Sequence, residues 1–130
     1  MTGETDWVMG PLLSTLHDLA REARKRKTNY DTKSVNRDQV EKYQQQGWEF
    51  DKRLKTKTRI RRFKPLDERL ENRVWTLFYK LGYPELNEGR NFQILIERKQ
   101  AEPLKKQIDV YARDTETVIV AECKLSLIHI

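Results

Sequence analysis

Cysteine and histidine are scarce in this sequence: Cys123 is the single cysteine, and there are two histidines among 130 residues. One cysteine excludes an internal disulfide and is typical of a protein in a reducing cytosol. Because a structural zinc site usually takes four Cys or His ligands, we do not expect this chain to supply one by itself. Neither a disulfide framework nor a zinc fold is expected.

Long apolar runs are also absent. None approaches the roughly 18 residues that a membrane span needs, and the first ten residues lack the basic start and the apolar stretch of a signal peptide. We therefore expect a cytoplasmic protein with no membrane partner. Since 35% of the residues are charged and 37% are hydrophobic, a core is expected for part of the chain only.

Positive charge, in contrast, is concentrated in one segment. The net charge of the chain is +6, yet residues 51–64 (DKRLKTKTRIRRFK) hold eight Lys or Arg against Asp51, a local charge of +7. Such a concentration is typical of a surface that binds a polyanion. The candidate nucleic-acid-binding residues are Arg53, Lys55, Lys57, Arg59, Arg61 and Arg62.

An alternating pattern within this segment predicts its backbone conformation. Uncharged residues from Leu54 to Ile60 alternate with basic ones. This period of two predicts an extended strand with one fully cationic face. A solvated basic linker is the alternative interpretation.

Apolar spacing and capping residues predict helices and strands elsewhere. The helix over 65–82 is the best specified, because Leu70, Val74 and Phe78 share one face and Gly82 follows its last turn. The strand over 117–124 is apolar enough to be central in a sheet. The other predicted elements are helices over 11–27 and 36–47, a turn-rich connector over 28–34, and strands over 91–99 and 106–114.

These elements indicate an α/β fold class with three regions. Residues 1–47 form an N-terminal helical region, and residues 48–64 form the basic strand or linker. Residues 65–124 form a core, in which one helix is followed by a three-stranded mixed or antiparallel sheet.

The last predicted strand carries two charged residues that packing alone does not explain. Glu122 and Lys124 project from the same face of this strand. If it pairs with the preceding strand through the turn at 113–116, residues whose numbers sum to 229–231 face each other, and Asp109 lies near Glu122. Opposed carboxylates are unfavourable without a cation between them, and Mg²⁺ commonly takes one or two carboxylates. An exposed Glu122–Lys124 ion pair is the alternative.

Three other residues bear on this site. Glu71 lies on or beside the inward face of the helix over 65–82, where its carboxylate is placed to hold a metal-bound water; an intrahelical pair with Lys or Arg is the alternative. Cys123 alternates to the face opposite Glu122, and we interpret it as a small core residue rather than a nucleophile. Trp75 is interpreted as a packing residue.

Glu71, Asp109 and the triplet Glu122-Cys123-Lys124 together resemble the PD-(D/E)xK nuclease superfamily, in its Mrr-like or Holliday-junction-resolvase-like form. The segment LENRVWTLFYKLGY is similar to the helix of that form, which reads Glu-x-x-Val-x-x-Leu-Leu-x-x-x-Gly-Tyr. The resemblance covers residues 66–124. It departs from the motif at Ile108, where the motif name has proline, and many Mrr-like members have Gln in place of Glu122.

The resemblance implies a restriction-endonuclease-like enzyme that uses Mg²⁺ or Mn²⁺ to hydrolyse DNA phosphodiester bonds. Asp109 and Glu122 would bind the metal, Lys124 would position the attacking water or stabilise the transition state, and Glu71 would act through water. The superfamily core runs helix, three strands, helix, strand, so the last helix and strand are expected to be missing here. The alternatives are a non-catalytic DNA-binding or targeting module and an interaction module for RNA or protein.

The final six residues are expected to be foreign to the protein. LSLIHI can be encoded by CTG TCT CTT ATA CAC ATC, which resembles a transposon mosaic-end sequencing adapter; a genuine strand continuation is the alternative. We therefore expect residues 125–130 to be adapter-derived, and the fragment to be inactive with an uncovered strand edge.

Residues 47–53 and 56–62 also resemble the N-terminal regions of DGQHR-domain proteins. A C-terminal domain in the native chain and a homodimer are therefore among the expected partners.

Overall fold

The computed structural model describes Val8 and residues 10–123. Over these residues the chain is a mixed α/β fold in which all paired strands are antiparallel. Residues 28–69 make one compact unit, the inserted unit, and residues 1–27 with 70–130 make another, the outer unit. This division differs from the linear boundaries predicted at residues 47 and 64. No helix in the described part of the chain is long and apolar enough to cross a membrane.

The inserted unit is a three-stranded sheet with a short helix. Its strands are β2 (Tyr30–Val35), β3 (Glu49–Arg53) and β4 (Thr58–Phe63), in the order β2-β4-β3. A 3₁₀ turn (Arg37–Gln39) leads into helix α2 (Val40–Gln44), and Val35, Trp48 and Ile60 form the core. The predicted turn-rich connector over 28–34 is therefore wrong, because these residues pair with β4 over six consecutive positions.

The basic segment folds back on itself as a hairpin. The Leu54 N–H donates to the Lys57 carbonyl at 2.8 Å, and the Arg37 guanidinium donates to the carbonyls of Leu54 and Lys55 at 3.2 and 3.1 Å. Both the single extended strand and the solvated linker are thus wrong. The predicted alternation does hold within β4, where Thr58 and Ile60 are buried.

The outer unit contains two long helices and two sheets. Its helices are α1 (Leu16–Lys27) and α3 (Leu66–Lys80), the latter starting within the inserted unit. The larger sheet has the order β1-β5-β8-β9, and a separate hairpin pairs β6 with β7. The strands are β1 (Leu12–Leu13), β5 (Glu85–Asn87), β6 (Gln93–Ile96), β7 (Leu104–Gln107), β8 (Val110–Arg113) and β9 (Val118–Ala121).

Helix α1 begins later than predicted, and helix α3 has its most buried side chain outside the predicted apolar face. Helix α1 begins at Leu16 rather than near residue 11, because the Thr15 hydroxyl accepts the Asp18 N–H at 3.1 Å and caps the helix. Helix α3 lies where it was predicted, but its fully buried residue is Trp75, whereas Leu77 is exposed. The interpretation of Trp75 as a packing residue is confirmed.

The strand predicted over 106–114 is two strands in two sheets. Strand β7 pairs with β6, whereas β8 pairs with both β5 and β9. The break falls at Ile108 and Asp109, where the Ile108 N–H donates to the Phe92 carbonyl at 2.8 Å. Strand β5 was not predicted, and it pairs with β8, whereas the strand within residues 91–99 pairs with β7 in the other sheet.

The fully buried side chain of Asn87 joins several of these elements. Its amide donates to the carbonyls of Gly89 and Asp109 at 3.1 and 3.2 Å, and its side-chain oxygen accepts the Tyr111 N–H at 2.9 Å. Its main-chain carbonyl accepts the Trp75 indole N–H at 2.8 Å. Since Asp109 immediately precedes β8, this network positions the start of that strand.

We expect Asn87→Ala to destabilise the chain by about 1–3 kcal/mol, because it removes the side-chain partner of the Tyr111 N–H and of the Asp109 carbonyl. Urea unfolding followed by circular dichroism measures this change. Asn91→Ala is the matched control, since Asn91 is exposed and its loss should cost less than about 0.5 kcal/mol. Equal midpoints for the two variants would contradict the role assigned to Asn87.

Candidate functional site

The β8–β9 hairpin places two of the predicted site residues next to each other. Its turn is fixed by Asp114, whose carboxylate accepts the N–H groups of Glu116 and Thr117 at 2.8 and 2.6 Å. The strand register pairs residues whose numbers sum to 231, ending at Val110 opposite Ala121. Asp109 and Glu122 directly adjoin this last pair, so both predicted residues lie at the same end of the hairpin, where their carboxylates contact different groups.

The Asp109 carboxylate bends onto the end of β9. Its Oδ2 accepts the Cys123 N–H at 2.7 Å. The Cys123 side chain packs against the core of the outer unit, which confirms its interpretation as a small core residue. Burial, followed by the nearby charges of Asp109 and Glu71, raises the pKa of the Cys123 thiol. The charges of Asp109 and Glu71 therefore both act on the thiol at the end of β9.

Glu122 faces away from that core. Strand β9 is the outermost strand of its sheet in the described part of the chain, and Val118 and Val120 on the Glu122 side are exposed. The prediction of a central strand is thus wrong. The Glu122 carboxylate accepts a hydrogen bond from Lys106 Nζ of β7 at 2.8 Å. Lys124, the predicted catalytic lysine, lies outside the described residues, as does the tail over 125–130.

Glu71 forms an ion pair with an arginine that was not among the predicted site residues. Arg90 Nε and Nη2 donate to the two Glu71 carboxylate oxygens at 2.7 and 3.0 Å, and the Glu71 side chain is 8% exposed against 40% for Arg90. The predicted alternative was a partner on the same helix, but this partner comes from the loop after β5. The spacing of residues in the sequence does not indicate this role for Arg90, because its partner is 19 positions away.

A buried ion pair fixes the loop that carries Arg90. The Glu22 carboxylate accepts the Gly89 N–H at 3.1 Å and the Arg26 Nε–H at 2.8 Å. The same Arg26 guanidinium donates to the Gly89 carbonyl at 2.8 Å and to Asn72 at 3.2 Å. Helix α1 therefore holds the 88–90 loop in the position from which Arg90 reaches Glu71.

The donor set fits a two-carboxylate metal site. Within residues 10–123, no group of three or more His, Cys, Asp or Glu side chains is arranged to hold a metal ion. Asp109 and Glu122 remain as two carboxylates at the same end of the β8–β9 hairpin, and Mg²⁺ commonly takes one or two from a protein. Glu71 does not fit as a direct ligand, because Arg90 occupies both of its oxygens.

The six basic residues predicted to bind nucleic acid fall into two groups. Arg59 donates to Asp51, Arg61 donates to Glu49, each at 2.7 Å, and Arg62 lies 3.8 Å from Asp31. The predicted fully cationic face is therefore wrong, since carboxylates of β2 and β3 neutralise these three. The second group lies at the hairpin tip and makes no ion pair within the described part of the chain: Arg53, Lys55 and Lys57.

The charge of the chain is nevertheless concentrated in the inserted unit. Residues 28–69 hold twelve Lys or Arg against seven Asp or Glu, a net charge of +5, which leaves +1 for the outer unit. Because the ion-paired arginines use up carboxylates in equal number, the surplus lies mainly at the hairpin tip. A local surplus of this kind raises the concentration of polyanions near it.

Comparisons of the chain with protein-family models, with curated proteins and with solved structures found no match. The resemblance to PD-(D/E)xK nucleases therefore depends on the residues and the geometry of this chain. Its carriers are Glu71 on α3 and the hairpin that juxtaposes Asp109 with Glu122.

We expect Asp109→Asn to lower the pKa of the Cys123 thiol, because the Asp109 charge opposes formation of the thiolate. The rate of iodoacetamide alkylation as a function of pH measures this pKa, and Cys123 is the single cysteine in the chain. In the unaltered chain the midpoint should lie above that of an exposed thiol. Glu116→Gln, at the far end of the hairpin, should leave it unchanged; an unchanged midpoint for Asp109→Asn would contradict the geometry.

Proposed function

We propose that this chain is a metal-dependent nuclease domain that hydrolyses DNA phosphodiester bonds, with Asp109 and Glu122 holding Mg²⁺ or Mn²⁺. The observation that carries this proposal is the β8–β9 register, which pairs Val110 with Ala121 and so brings the residues just beyond them, Asp109 and Glu122, to the same end of the hairpin. Carboxylates that lie close together are unfavourable unless a cation lies nearby. A divalent ion would satisfy both.

The connectivity of the outer unit supports the same proposal. Helix α3 is followed by β5, β8 and β9, which pair in that order as an antiparallel meander. This is the order of helix and three strands at the start of the superfamily core. The β6–β7 hairpin then lies between the first and second of these three strands.

The Lys106 contact does not prevent metal binding. Its Nζ–Glu122 pair joins two partly exposed side chains, and such surface pairs contribute about 0–1 kcal/mol. A divalent ion held by two carboxylates can therefore displace the ammonium group. Lys106 would then be free to contact a phosphate oxygen near the same carboxylate.

Each remaining residue has a defined part in the proposed reaction. When bound, the metal supplies a Lewis acid and a lowered pKa for a bound water. Lys124 would lie next to the scissile phosphate and offset its developing charge. Arg90 fixes the orientation of the Glu71 carboxylate, which would act on the site through a water.

The inserted unit would supply the affinity for DNA. The hairpin tip, with Arg53, Lys55 and Lys57, presents cations that no carboxylate neutralises within the described residues. Contacts from such cations to phosphates carry no sequence information but position the duplex. Binding by this unit should therefore be salt-sensitive and tolerant of sequence.

We expect Mg²⁺- or Mn²⁺-dependent cleavage of supercoiled plasmid DNA by a protein that also carries the last helix and strand implied by the resemblance. Asp109→Asn should abolish this cleavage, because the substitution removes one of two ligand carboxylates. Agarose electrophoresis of nicked and linear products measures it. Glu116→Gln is the matched control, since it removes an exposed carboxylate from the same hairpin and should leave cleavage intact. Cleavage that survives Asp109→Asn would contradict the assignment of the site.

A non-catalytic DNA-binding module is the second candidate function. It is favoured by the two ion pairs, Glu71 with Arg90 and Glu122 with Lys106, which give both carboxylates a cation without any metal. Metal dependence discriminates the two candidates. A module binds DNA equally with EDTA and with Mg²⁺ and leaves the plasmid supercoiled.

We expect Lys55→Ala combined with Lys57→Ala to weaken duplex binding and to flatten its salt dependence. Each lost phosphate contact should reduce the slope of log K against log salt by about 0.9. Fluorescence anisotropy of a labelled duplex at several salt concentrations measures the slope. Lys42→Ala combined with Lys80→Ala removes the same charge elsewhere, from two exposed positions, and should leave the slope within error. Equal slopes for the two double variants would overturn the role of the tip.

A further inference from the structure

One face of the sheet in the inserted unit carries a stack of aromatic and guanidinium groups. Tyr30 and Phe63 are paired across β2 and β4, and their ring centroids lie 5.3 Å apart. The Arg61 guanidinium lies 4.4 Å from the Tyr30 ring centroid, and that of Arg69 lies 4.3 Å from the Phe63 ring centroid. We call these four residues the aromatic face.

The aromatic face is not part of the hydrophobic core. Ile60 points to the opposite side of β4, where it packs with Val35 and Trp48. Phe63 remains 50% exposed despite its two contacts, and Tyr30 is half-buried. Neither ring belongs to the core cluster, so the exposed half of the Phe63 side chain is available to a ligand.

Charge on this face is nearly balanced. Arg59 and Arg61 hold the carboxylates of Asp51 and Glu49, so the face offers few free cations to a phosphate. Its distinctive groups are instead ring surfaces and the flat guanidinium of Arg69. Neutral planar groups are the ligands that suit such a surface, and the bases of a nucleic acid are planar and neutral.

The pairing state of the nucleic acid decides whether this surface is usable. In a duplex the base faces are stacked on each other, and a protein reaches only their edges and the phosphates. In a single strand the base faces are open, and stacking on aromatic side chains tolerates any sequence. The aromatic face therefore fits unpaired bases, whereas the hairpin tip fits phosphates of either form.

We propose that the aromatic face binds single-stranded DNA by stacking of unpaired bases on Phe63 and Tyr30, while the hairpin tip holds neighbouring phosphates. This inference rests on the DNA binding proposed above and names the form of DNA that is bound. Phe63 lies five residues along β4 from Thr58, which begins the strand at the tip. That separation is about 17 Å, so a strand of several nucleotides is needed to reach both.

The test is binding of a fluorescent dT15 oligonucleotide to the full chain, followed by anisotropy at one salt concentration. Phe63→Ala should weaken binding roughly 5- to 100-fold, because a base–aromatic stack is lost. Phe63→Leu, which keeps apolar volume without a ring, should weaken it as well. Phe50→Ala is the matched control, because Phe50 is 54% exposed but is paired with Ile60 and lies on its side of the sheet.

Phe63→Ala should change duplex affinity by less than about twofold, and circular dichroism should show that both phenylalanine variants are folded. If Phe63→Ala and Phe50→Ala bind dT15 equally while the Lys55/Lys57 double variant is weaker, the stacking role is wrong and DNA binding by the tip stands. If the unaltered chain binds neither dT15 nor duplex, the proposed DNA-binding function itself fails. Tighter binding of rU15 than dT15 by tenfold or more would overturn the choice of DNA.

Discussion

The buried amide of Asn87 is the constraint on which the geometry of the outer unit depends. Through four hydrogen bonds it joins β5 to Trp75 of α3, to Gly89, and to Asp109 and Tyr111 at the start of β8. Each of these groups is buried or partly buried, so each needs a partner inside the protein. Because one residue contacts them all, three through its side chain and Trp75 through its main-chain carbonyl, the position of Asp109 is coupled to the position of the helix that carries Glu71. The candidate site is therefore built by one buried polar residue.

Ion pairs occur in both units, and they have a different consequence in each. In the inserted unit, carboxylates of β2 and β3 neutralise the arginines of β4, which leaves the surplus charge at the hairpin tip. In the outer unit, Arg90 and Lys106 occupy the carboxylates of Glu71 and Glu122. The first arrangement separates a cationic tip from a nearly neutral face. The second holds both acidic side chains in place, and the partly exposed Lys106–Glu122 pair can exchange for another cation at little cost.

Local patterns predicted the parts of this molecule that depend on neighbouring residues. Helix α3 followed from apolar spacing and a glycine stop, and the placement of Asp109 and Glu122 at one end of a hairpin followed from a short turn that fixes the register. Strands β2 and β5 were missed because their partners lie far along the chain, and the same is true of Arg90 with Glu71. The prediction of a cationic face was wrong for a related reason. A count of the basic residues in one segment does not include the carboxylates that neighbouring strands place beside them.

The central claim is that Asp109 and Glu122 form one divalent-metal site, and direct metal binding tests it without depending on catalysis. Titration of the full chain with Mn²⁺, followed by the electron paramagnetic resonance signal of free Mn²⁺, measures the number of bound ions and their affinity. The account predicts one saturable site per chain that is lost in Asp109→Asn and in Glu122→Gln and kept in Glu116→Gln. Absence of a saturable site, or a site that both substitutions leave intact, would contradict it.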